Sequence, residues 1–343
     1  MKLSRQIKAK VKNSDKLKRT EKYDGDMSQT ISTGSTLLDL AISGGRKEGG
    51  GIPGGIFVEV FGASASGKTV LLCEIAGGIN RHNGQLVFYD PEARLNKQFA
   101  KLFDLDINKI AYSQPNTIPQ VFKPIKNWEV DETKINGIIA DSLAALSTDL
   151  EMEKEEGDKM GTRRGKEFSE GLRKTCRVLP KKNLLLVASN QLRDNVGATF
   201  GPKQDSPGGW AIKFYSSLRL KIKVIKKIVE KKKFREKEVT RVVGVRSEVE
   251  VFKSSVWKPF GKALISIYFD YGIDDIRENL QFIKDYSGKK VYTLNGKKLA
   301  DSMNKSISII EEECWEKKLK KEVIGLWEDI EEKFKTERKP KRR

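Results

Sequence analysis

The hydrophobic positions of the chain alternate between short apolar runs and longer segments of helical length. Seven runs rich in β-branched and other apolar residues predict strands: Ile56 to Phe61, Leu86 to Tyr89, Gly137 to Ala140, Leu184 to Ala188, Leu218 to Ile222, Ser247 to Phe252 and Ala263 to Phe269. The first four are apolar at nearly every position, as strands buried on both faces of a sheet are. Helix-length segments separate these four strands, which predicts βαβ units.

This order predicts an α/β fold with a doubly wound, mainly parallel sheet. The last three runs lie close enough along the chain to form antiparallel hairpins at the sheet edge. After residue 270 the sequence KKVYTLNGKKL predicts a hairpin with Asn295-Gly296 at its turn, and one charged helix follows. We therefore predict a core over residues 31–270 and a small α+β C-terminal domain over residues 271–332.

The two ends of the chain have a different pattern. Within residues 1–30, Leu3, Ile7 and Val11 recur at four-residue spacing, which predicts a short basic amphipathic helix. A mitochondrial-type targeting segment is the alternative interpretation. Residues 333–343, which end in RKPKRR, predict a disordered basic tail.

The formal net charge of +19 is concentrated in three segments. Residues 1–22 carry nine basic and two acidic residues, residues 221–241 ten and three, and residues 333–343 seven and one. Because the rest of the chain is nearly neutral, this distribution favours a polyanion-binding protein with basic arms. For any single segment, solvated surface charge is the alternative.

Several classes of protein are disfavoured by the composition. Cys73, Cys176 and Cys314 are widely spaced, which argues against a disulfide framework or a zinc site and favours a reducing cytoplasm. His82 is the only histidine, so histidine-dependent triads and histidine-rich metal sites are disfavoured. No apolar run reaches the roughly eighteen residues of a membrane helix, and the N-terminus lacks a signal-peptide stretch. We expect a cytoplasmic protein without a membrane partner.

One segment has the spacing G-x-x-x-x-G-K-[ST] of a phosphate-binding loop: Gly62, Ala63, Ser64, Ala65, Ser66, Gly67, Lys68 and Thr69. A predicted strand precedes it and a helical segment follows, which is the context that such a loop needs. Its backbone amides would face phosphates, Lys68 would neutralise the β and γ groups, and Thr69 would bind Mg²⁺. The alternative is a turn that is merely rich in glycine and serine.

Polar residues at the ends of other predicted strands indicate hydrolysis. Asp141 follows NGIIA, where it could hold Mg²⁺ through water or, alternatively, cap a helix. Asp90 and Glu92 follow a second strand, and Glu92 is the better candidate for the base that activates water. Gln191 ends a third strand and could sense the terminal phosphate.

Two long loops follow these strands. They are LRDNVGATFGPKQDSPGGW, after Gln191, and KEEGDKMGTRRG, residues 154–165. Loops of this length are functional or disordered, with plain surface loops as the alternative, and both could change shape with nucleotide state. Arg163, Arg164 and Arg193 could contact phosphates and Phe200 a base, as in a surface that binds single strands.

Six segments, in this order, resemble the RecA family of strand-exchange recombinases: ISTGSTLLDLAI, GASASGKT, FYDPEARLNKQFAKLFDLDINKIAYSQPN, ADSLAALSTDLEMEKEEGDKMG, SNQLRDNVGATFG and PGGWAIKFYSSLRLKI. The resemblance covers residues 31 to about 270. It implies a RecA-like core that uses ATP and Mg²⁺, forms a helical filament by self-association on single-stranded DNA, and pairs that strand with homologous duplex DNA. Single-strand-binding and loader proteins are further possible partners.

The resemblance also implies roles for individual residues. Lys68 and Thr69 match the nucleotide loop, Glu92 the catalytic glutamate, Asp141 the metal-associated carboxylate and Gln191 the nucleotide-sensing glutamine. Phe99 falls where the family places an aromatic residue over the adenine. Residues 155–161 match the family's first DNA-binding loop and residues 192–206 its second, here called the first loop and the second loop. Lys213, Phe214 and Arg219 match positions that the family uses for contacts with DNA or with a neighbouring subunit. The full set of predicted DNA-binding residues is Met160, Gly161, Arg163, Arg164, Arg193, Phe200, Gly208, Gly209, Lys213 and Arg219. The basic N-terminal helix would pack on the next protomer.

Three departures from the family pattern are visible. Lys253 matches one of two lysines with which bacterial members reach a neighbour's ATP, but Ser255 occupies the second position. Bacterial members end in an acidic tail, whereas RKPKRR predicts weaker autoinhibition and tighter duplex binding. The segment KVIKKIVEKKKFREKE predicts either an extra DNA contact or a solvated hairpin.

Two other functions remain open from the sequence. One is a ring-forming relative that translocates on DNA or unwinds it, although a four-cysteine zinc module and the K-N-R-F-G signature of the branch-migration enzymes are absent from the sequence. The other is a nucleotide-dependent filament that does not exchange strands, which the missing second lysine favours.

Overall fold

The computed structural model describes residues 29–46, 49–106, 108, 110–153, 160–194, 204–205 and 209–338. Outside the described residues lie residues 1–28 of the predicted N-terminal segment 1–30, residues 154–159, 195–203 and 206–208 of the two long loops, and residues 339–343. No helix in the described ranges is long and apolar enough to cross a membrane.

The strands of the described chain are β1 (Thr30–Ile31), β2 (Ile52–Pro53), β3 (Phe57–Gly62), β4 (Leu86–Tyr89), β5 (Ala111–Ser113), β6 (Asn136–Ala140), β7 (Leu184–Gln191), β8 (Arg193–Asp194), β9 (Gln204–Asp205), β10 (Leu218–Phe234), β11 (Lys237–Ser254), β12 (Lys262–Tyr268), β13 (Gly272–Ile273), β14 (Thr293–Leu294) and β15 (Lys297–Lys298).

The α-helices are α1 (Thr36–Ser43), α2 (Lys68–Arg81), α3 (Lys97–Lys101), α4 (Ile118–Ile125), α5 (Asp149–Glu153), α6 (Met160–Thr175), α7 (Gly209–Tyr215), α8 (Asp275–Tyr286), α9 (Met303–Glu312) and α10 (Glu316–Lys333). Short 3₁₀ turns lie at Gly44–Arg46 and Leu143–Ala145.

The main sheet has nine strands in the order β13-β12-β11-β10-β3-β7-β6-β4-β5. Neighbouring strands from β10 to β5 pair in parallel, and β11, β12 and β13 continue the sheet in antiparallel pairing. This arrangement confirms the predicted α/β fold with a mainly parallel sheet and antiparallel edge strands. Because β3, β4, β6 and β7 are parallel, their carboxyl ends lie along one edge, where open α/β sheets bind ligands.

Helices cover both faces of the sheet, and alternate residues of each central strand face opposite sides. In β7, Leu185 and Val187 pack in the cluster with α1 and α2, whereas Leu184 and Leu186 pack in the cluster with α4 and α6. The strands are apolar at most positions because both of their faces are buried.

The C-terminal part of the chain packs around a third cluster that includes Leu280, Ile310 and Leu319. Leu40 of α1 belongs to the same cluster, and Asp275 accepts hydrogen bonds from the backbone N–H and the hydroxyl of Thr36, both at 2.7 Å. These contacts tie this region to the core, and its separation into a domain of residues 271–332 stays a prediction.

Two element predictions in the C-terminal half of the chain need correction. The strand predicted to end at Ile222 continues to Phe234 and pairs with β11, so residues 223–243 form a long two-stranded ribbon. The single predicted C-terminal helix is two helices, because Cys314 adopts a left-handed φ of 51° between them. The hairpin at Asn295-Gly296 is confirmed, with positive φ at both residues.

Candidate functional site

The predicted phosphate loop joins β3 to α2 in a conformation that requires glycine. Gly67 has a φ of 104°, and a Cβ placed there would lie 2.3 Å from Cδ1 of Ile267. A Cβ at Gly62 would lie 2.2 Å from the carbonyl oxygen of Ile222. Both glycines of the sequence pattern are therefore required by close packing and backbone conformation.

Lys68 crosses the base of this loop. Its Nζ atom donates hydrogen bonds to the carbonyl oxygens of Gly62 and Ala63, at 3.1 and 2.7 Å. Burial lowers the pKa of the ammonium group, and the charges of Asp141 and Glu92 oppose this shift. Since an ammonium group has three donors, one further hydrogen bond to a phosphate oxygen is possible.

Asp141 connects the end of β6 to the loop helix. The hydroxyl of Thr69 donates to Oδ2 of Asp141 at 2.6 Å, and the hydroxyl of Ser189 donates to Oδ1. Burial raises the pKa of the Asp141 carboxyl, and the two hydroxyl donors oppose this shift. The Thr69 and Asp141 oxygens thus lie together, an arrangement that suits Mg²⁺, which binds protein oxygens while keeping waters and phosphates.

Glu92 lies beside this pair, and its two oxygens have different partners. Oε1 accepts a 2.7 Å hydrogen bond from the hydroxyl of Ser142, and Oε2 lies 2.7 Å from Nη2 of Arg94. Asp90 is placed differently, because it is buried and accepts hydrogen bonds from the Leu95 amide and the Tyr112 hydroxyl, both at 2.8 Å. Asp90 therefore stabilises the local chain, and Glu92 faces the cleft.

Gln191 ends β7 directly beside the phosphate loop. It pairs with Gly62 in the sheet, and the next residue, Leu192, donates its N–H to the Gly62 carbonyl at 3.3 Å. The predicted second loop starts here, and its two ends pair as β8 and β9. A displacement of the phosphate loop would therefore be transmitted directly to the first residues of this loop.

These residues surround one cleft of about 260 Å³. Sequence reasoning missed seven of its lining residues, which are Val70, Arg94, Ser142, Ser189, Val245, Ile267 and Phe269. The last three form an apolar wall contributed by β11, β12 and the turn that follows β12. Ile267 and Phe269 belong to a run that was predicted as a strand, and Val245 lies two residues before another. Their position at the cleft depends on the pairing of β10 with β3, which local patterns do not reveal.

Phe99 is separate from this cleft in the described structure. It lies in α3, half-buried, with its ring 5.1 Å from that of Phe103 in an edge arrangement. Phe99 does not line the cleft around the phosphate loop, and its predicted contact with adenine stays a prediction.

Arg219 lies inside the protein. Its Nε atom is 2.6 Å from Oε2 of Glu59, and its guanidinium stacks 4.4 Å from the ring centre of Phe61. Asn190 donates to the other oxygen of Glu59 at 3.0 Å. With 8% of its side chain exposed, Arg219 is placed to stabilise the sheet, whereas the sequence led us to expect a surface contact with DNA or a neighbouring subunit.

Lys253 and Lys213 meet near the carboxyl end of α7. Nζ of Lys253 donates to the carbonyl oxygens of Lys213 and Phe214, at 2.9 and 3.0 Å. Burial lowers the pKa of Lys253, and the nearby charge of Arg219 adds to this shift. Lys253 thus caps a helix within its own chain. Trp210 and Phe214 of the same helix are 84% and 73% exposed, and Gly209 is its first residue.

The remaining predicted DNA-binding residues are only partly described. Met160 and Gly161 begin α6, so residues 160–165 are helical where a loop was predicted. Arg163 pairs with Glu167 at 3.5 Å, and Arg164 donates to the carbonyl oxygens of Leu143 and Ala144. The side chain of Arg193, together with Phe200 and Gly208, lies outside the described residues.

The chain is similar to known proteins along the whole of its core. Residues 4–274 match the family model described as the RecA N-terminal domain. The chain is 34% identical over 257 residues to the Protein RecA of Borrelia hermsii, covering 75% of this chain and 69% of that protein. It is 31% identical over 297 residues to the Protein RecA of Lactobacillus delbrueckii subsp. bulgaricus, covering 85% of each chain. A third relative, the Protein RecA of Delftia acidovorans, is 31% identical over 289 residues, which is 83% of this chain and 75% of that protein.

The phosphate loop, the carboxylates at the ends of neighbouring parallel strands and these matches agree with one another. The chain therefore belongs to the RecA family, the DNA-dependent ATPases that act as recombinases in homologous recombination and repair.

Proposed function

We propose that the cleft binds ATP with Mg²⁺ and that Glu92 is the general base of hydrolysis. The observation that carries this proposal is the convergence of four side chains from three neighbouring segments, namely Lys68, Thr69, Asp141 and Glu92, on one cleft. A phosphate loop alone would support nucleotide binding only. A carboxylate that faces the cleft beside the metal-binding oxygens adds the group that hydrolysis needs.

Each of these residues has a defined role in the proposal. Lys68 and the loop amides bind the β- and γ-phosphates, and Thr69 and Asp141 hold Mg²⁺, which neutralises charge that develops on the phosphates. Glu92 accepts the proton of the attacking water, and Ser142 orients its carboxylate. Gln191 carries the nucleotide state to the loop that follows β7, since it lines the cleft and begins that loop.

We propose further that the chain forms a filament on single-stranded DNA and pairs it with homologous duplex DNA. Family membership establishes DNA binding and filament formation in general. The particular DNA contacts of Met160, Gly161, Arg163, Arg164, Arg193, Phe200, Gly208, Gly209 and Lys213 are proposals. A cytoplasmic site of action is also proposed, which the free state of all three cysteines supports.

Electron microscopy of the protein with ATP and single-stranded DNA, followed by a strand-exchange assay, tests this function. We expect helical filaments and exchanged products. Closed rings would contradict the proposal in favour of a translocating relative, and filaments without exchange would favour a scaffold.

The nucleotide site is tested by Lys68→Ala. We expect DNA-stimulated ATP hydrolysis to fall by about 100-fold or more, because the variant lacks the charge that faces the phosphates. Lys305→Ala, a change at an exposed lysine of α9, is the matched control and should retain activity. Hydrolysis that survives in Lys68→Ala would show that the site is wrongly assigned.

A further inference from the structure

The segment after β4 turns back on itself and brings Arg94 onto Glu92. Ala93, between the two residues, has a left-handed φ of 52°, and its N–H donates to the carbonyl oxygen of Asp90 at 3.0 Å. The buried carboxylate of Asp90 anchors the other side of this turn by accepting the Leu95 amide. The reversal places Nη2 of Arg94 2.7 Å from Oε2 of Glu92.

The two members of this ion pair are held very differently. The side chain of Glu92 is 16% exposed and is fixed at its other oxygen by Ser142, which is buried. The side chain of Arg94 is 74% exposed. The exposed guanidinium is well hydrated once it leaves the carboxylate, and an ion pair with such an exposed member adds little stability. The guanidinium is therefore the partner that can leave at small cost.

Arg94 also lies within reach of the place where a terminal phosphate would bind. If Glu92 activates water, one water molecule lies between its carboxylate and the phosphorus atom. The hydrogen bond from this water to the carboxylate and the distance from its oxygen to phosphorus are each about 3 Å. The guanidinium touches the same carboxylate. Among the described residues that line the cleft, the cations are Lys68 and Arg94, and the loop carbonyls already bind Lys68.

We propose that Arg94 exchanges partners when ATP binds, leaving Glu92 and forming a bidentate contact with the terminal phosphate. This inference rests on the proposed role of Glu92. A guanidinium matches phosphate geometry with two parallel hydrogen bonds, and a terminal phosphate carries more negative charge than one carboxylate. The exchange leaves Oε2 of Glu92 open to the proton of water. In the absence of a terminal phosphate, Arg94 stays on Glu92 and occupies that oxygen.

The exchange makes Arg94 a residue that distinguishes ATP from ADP, because ADP lacks the group to which the guanidinium moves. The test is equilibrium binding of fluorescent ADP and of a fluorescent non-hydrolysable ATP analogue to Arg94→Ala, without DNA. We expect the analogue to bind about tenfold more weakly, which corresponds to about 1.4 kcal/mol, and ADP affinity to stay within about twofold. Arg94→Lys should fall between, since it keeps the charge but loses the planar pair of donors.

Arg81→Ala is the matched control. Arg81 is also an arginine in a solvent-accessible ion pair, with Asp104 at 2.9 Å, and it does not line the cleft. This variant should change neither affinity. If Arg94→Ala weakens both ligands equally, or neither of them, Arg94 does not recognise the terminal phosphate and the inference is wrong.

Failure of the inference and failure of the proposed function have different signatures. Lys68→Ala should weaken both ADP and the ATP analogue, and if it weakens neither, the nucleotide site itself is wrong. If Lys68→Ala loses nucleotide binding while Arg94→Ala keeps the wild-type ratio of affinities for the ATP analogue and ADP, only the role of Arg94 is rejected.

A double-mutant cycle tests the exchange of partners by Arg94 in a second way. Glu92→Gln removes the charge that competes for the guanidinium, so it should strengthen binding of the ATP analogue in the presence of Arg94. In an Arg94→Ala background the same change should strengthen binding several-fold less, because only the direct repulsion between Glu92 and phosphate is then removed. Equal effects in both backgrounds would overturn the exchange.

Discussion

Thr69 donates its hydroxyl to Asp141 across a distance of 2.6 Å, which joins the second residue of the loop helix to the end of a strand 72 positions later. The two oxygens lie where a cation between phosphate and protein would be bound. We expect Thr69→Val to raise the Mg²⁺ concentration for half-maximal hydrolysis by about tenfold or more, because the hydroxyl oxygen is lost while the shape is kept. A Mg²⁺ titration of ATP hydrolysis measures this.

Thr69→Ser is the control for that experiment. It retains the hydroxyl and should need nearly the wild-type concentration of Mg²⁺. The same Mg²⁺ dependence in Thr69→Val and in the wild type would show that this oxygen does not serve the metal.

Gln191 should couple ATP hydrolysis to DNA binding. It lines the cleft, pairs with Gly62 of the phosphate loop and directly precedes the second loop. We expect Gln191→Ala to keep nucleotide affinity and basal hydrolysis within about threefold, but to lose most of the stimulation by single-stranded DNA. Hydrolysis rates with and without DNA measure both quantities. Gln98→Ala, at an exposed glutamine of α3, should keep the stimulation, and an equal loss in the two variants would contradict the role of Gln191.

The ion pair of Arg219 and Glu59 should matter for stability. Arg219→Met leaves the buried Glu59 carboxylate without its charged partner, which typically costs about 3–5 kcal/mol. Urea unfolding followed by circular dichroism measures this loss. Arg241→Met, on the exposed ribbon, should change the free energy of unfolding by less than about 0.5 kcal/mol. Equal stability of the two variants would mean that the ion pair is dispensable.

Glu74 predicts a pH dependence of stability. Burial raises the pKa of its carboxyl to about 7 from the ordinary 4.5. Because the folded state favours the protonated form, the resulting stability is fully present below pH 4.5 and is lost as the pH rises through 7. A shift of this size corresponds to about 3 kcal/mol at most, since the carboxyl keeps some contact with solvent.

Glu74→Gln removes this titration. We expect the variant to exceed the wild type in free energy of unfolding at pH 8 by about 1–3 kcal/mol and to match it at pH 4.5, as measured by urea unfolding at both values. Glu313→Gln, at an exposed carboxyl of the C-terminal region, should show no such difference. A constant gap between Glu74→Gln and the wild type across this range would contradict the prediction.

The ribbon of residues 223–243 should bind DNA phosphates. Its lysines at 231, 232 and 233 are exposed, and a two-stranded ribbon fits the major groove of duplex DNA. Replacing all three by Gln should reduce the slope of log affinity for duplex DNA against log salt by up to about 3, because each lost phosphate contact contributes about 0.9. Binding isotherms at several salt concentrations measure the slope.

A triple variant of equal charge is the control for the ribbon. Lys317, Lys318 and Lys321 are exposed on α10, and their replacement by Gln should change the slope less. If both triple variants change the slope equally, the ribbon is a solvated hairpin that contributes only net charge.

The strands of the core could be predicted because buried strands appear in the sequence as short apolar runs. Leu86–Tyr89 has the predicted bounds, and β6 extends its run by one residue at its start. The continuation of β10 to Phe234 could not be predicted in this way, since lysines occupy half of its positions after Ile222. Its strand conformation comes from pairing with β11, whose residues before Ser247 also lie outside the predicted strands.

The residues of the site also fall into those that local sequence patterns predict and those that only the fold reveals. Lys68, Asp141 and Glu92 were predictable because each belongs to a local pattern at the end of a strand. Arg219 was not, because its ion-pair partner Glu59 lies 160 positions earlier and only the fold brings the two together. Arg94 was missed for another reason, since its approach to Glu92 depends on the left-handed backbone of Ala93 between them.

Gly62 is bordered in the sheet by Gln191 on one side and by Ile222 on the other. The first residue of the phosphate loop is thus shared by the strand that begins the second loop and the strand that continues into the ribbon. A shift of the phosphate loop on phosphate release would move both neighbouring strands, β7 and β10, at once. The loop expected to bind single-stranded DNA and the ribbon expected to bind duplex DNA would then move together, because both are joined to one backbone position.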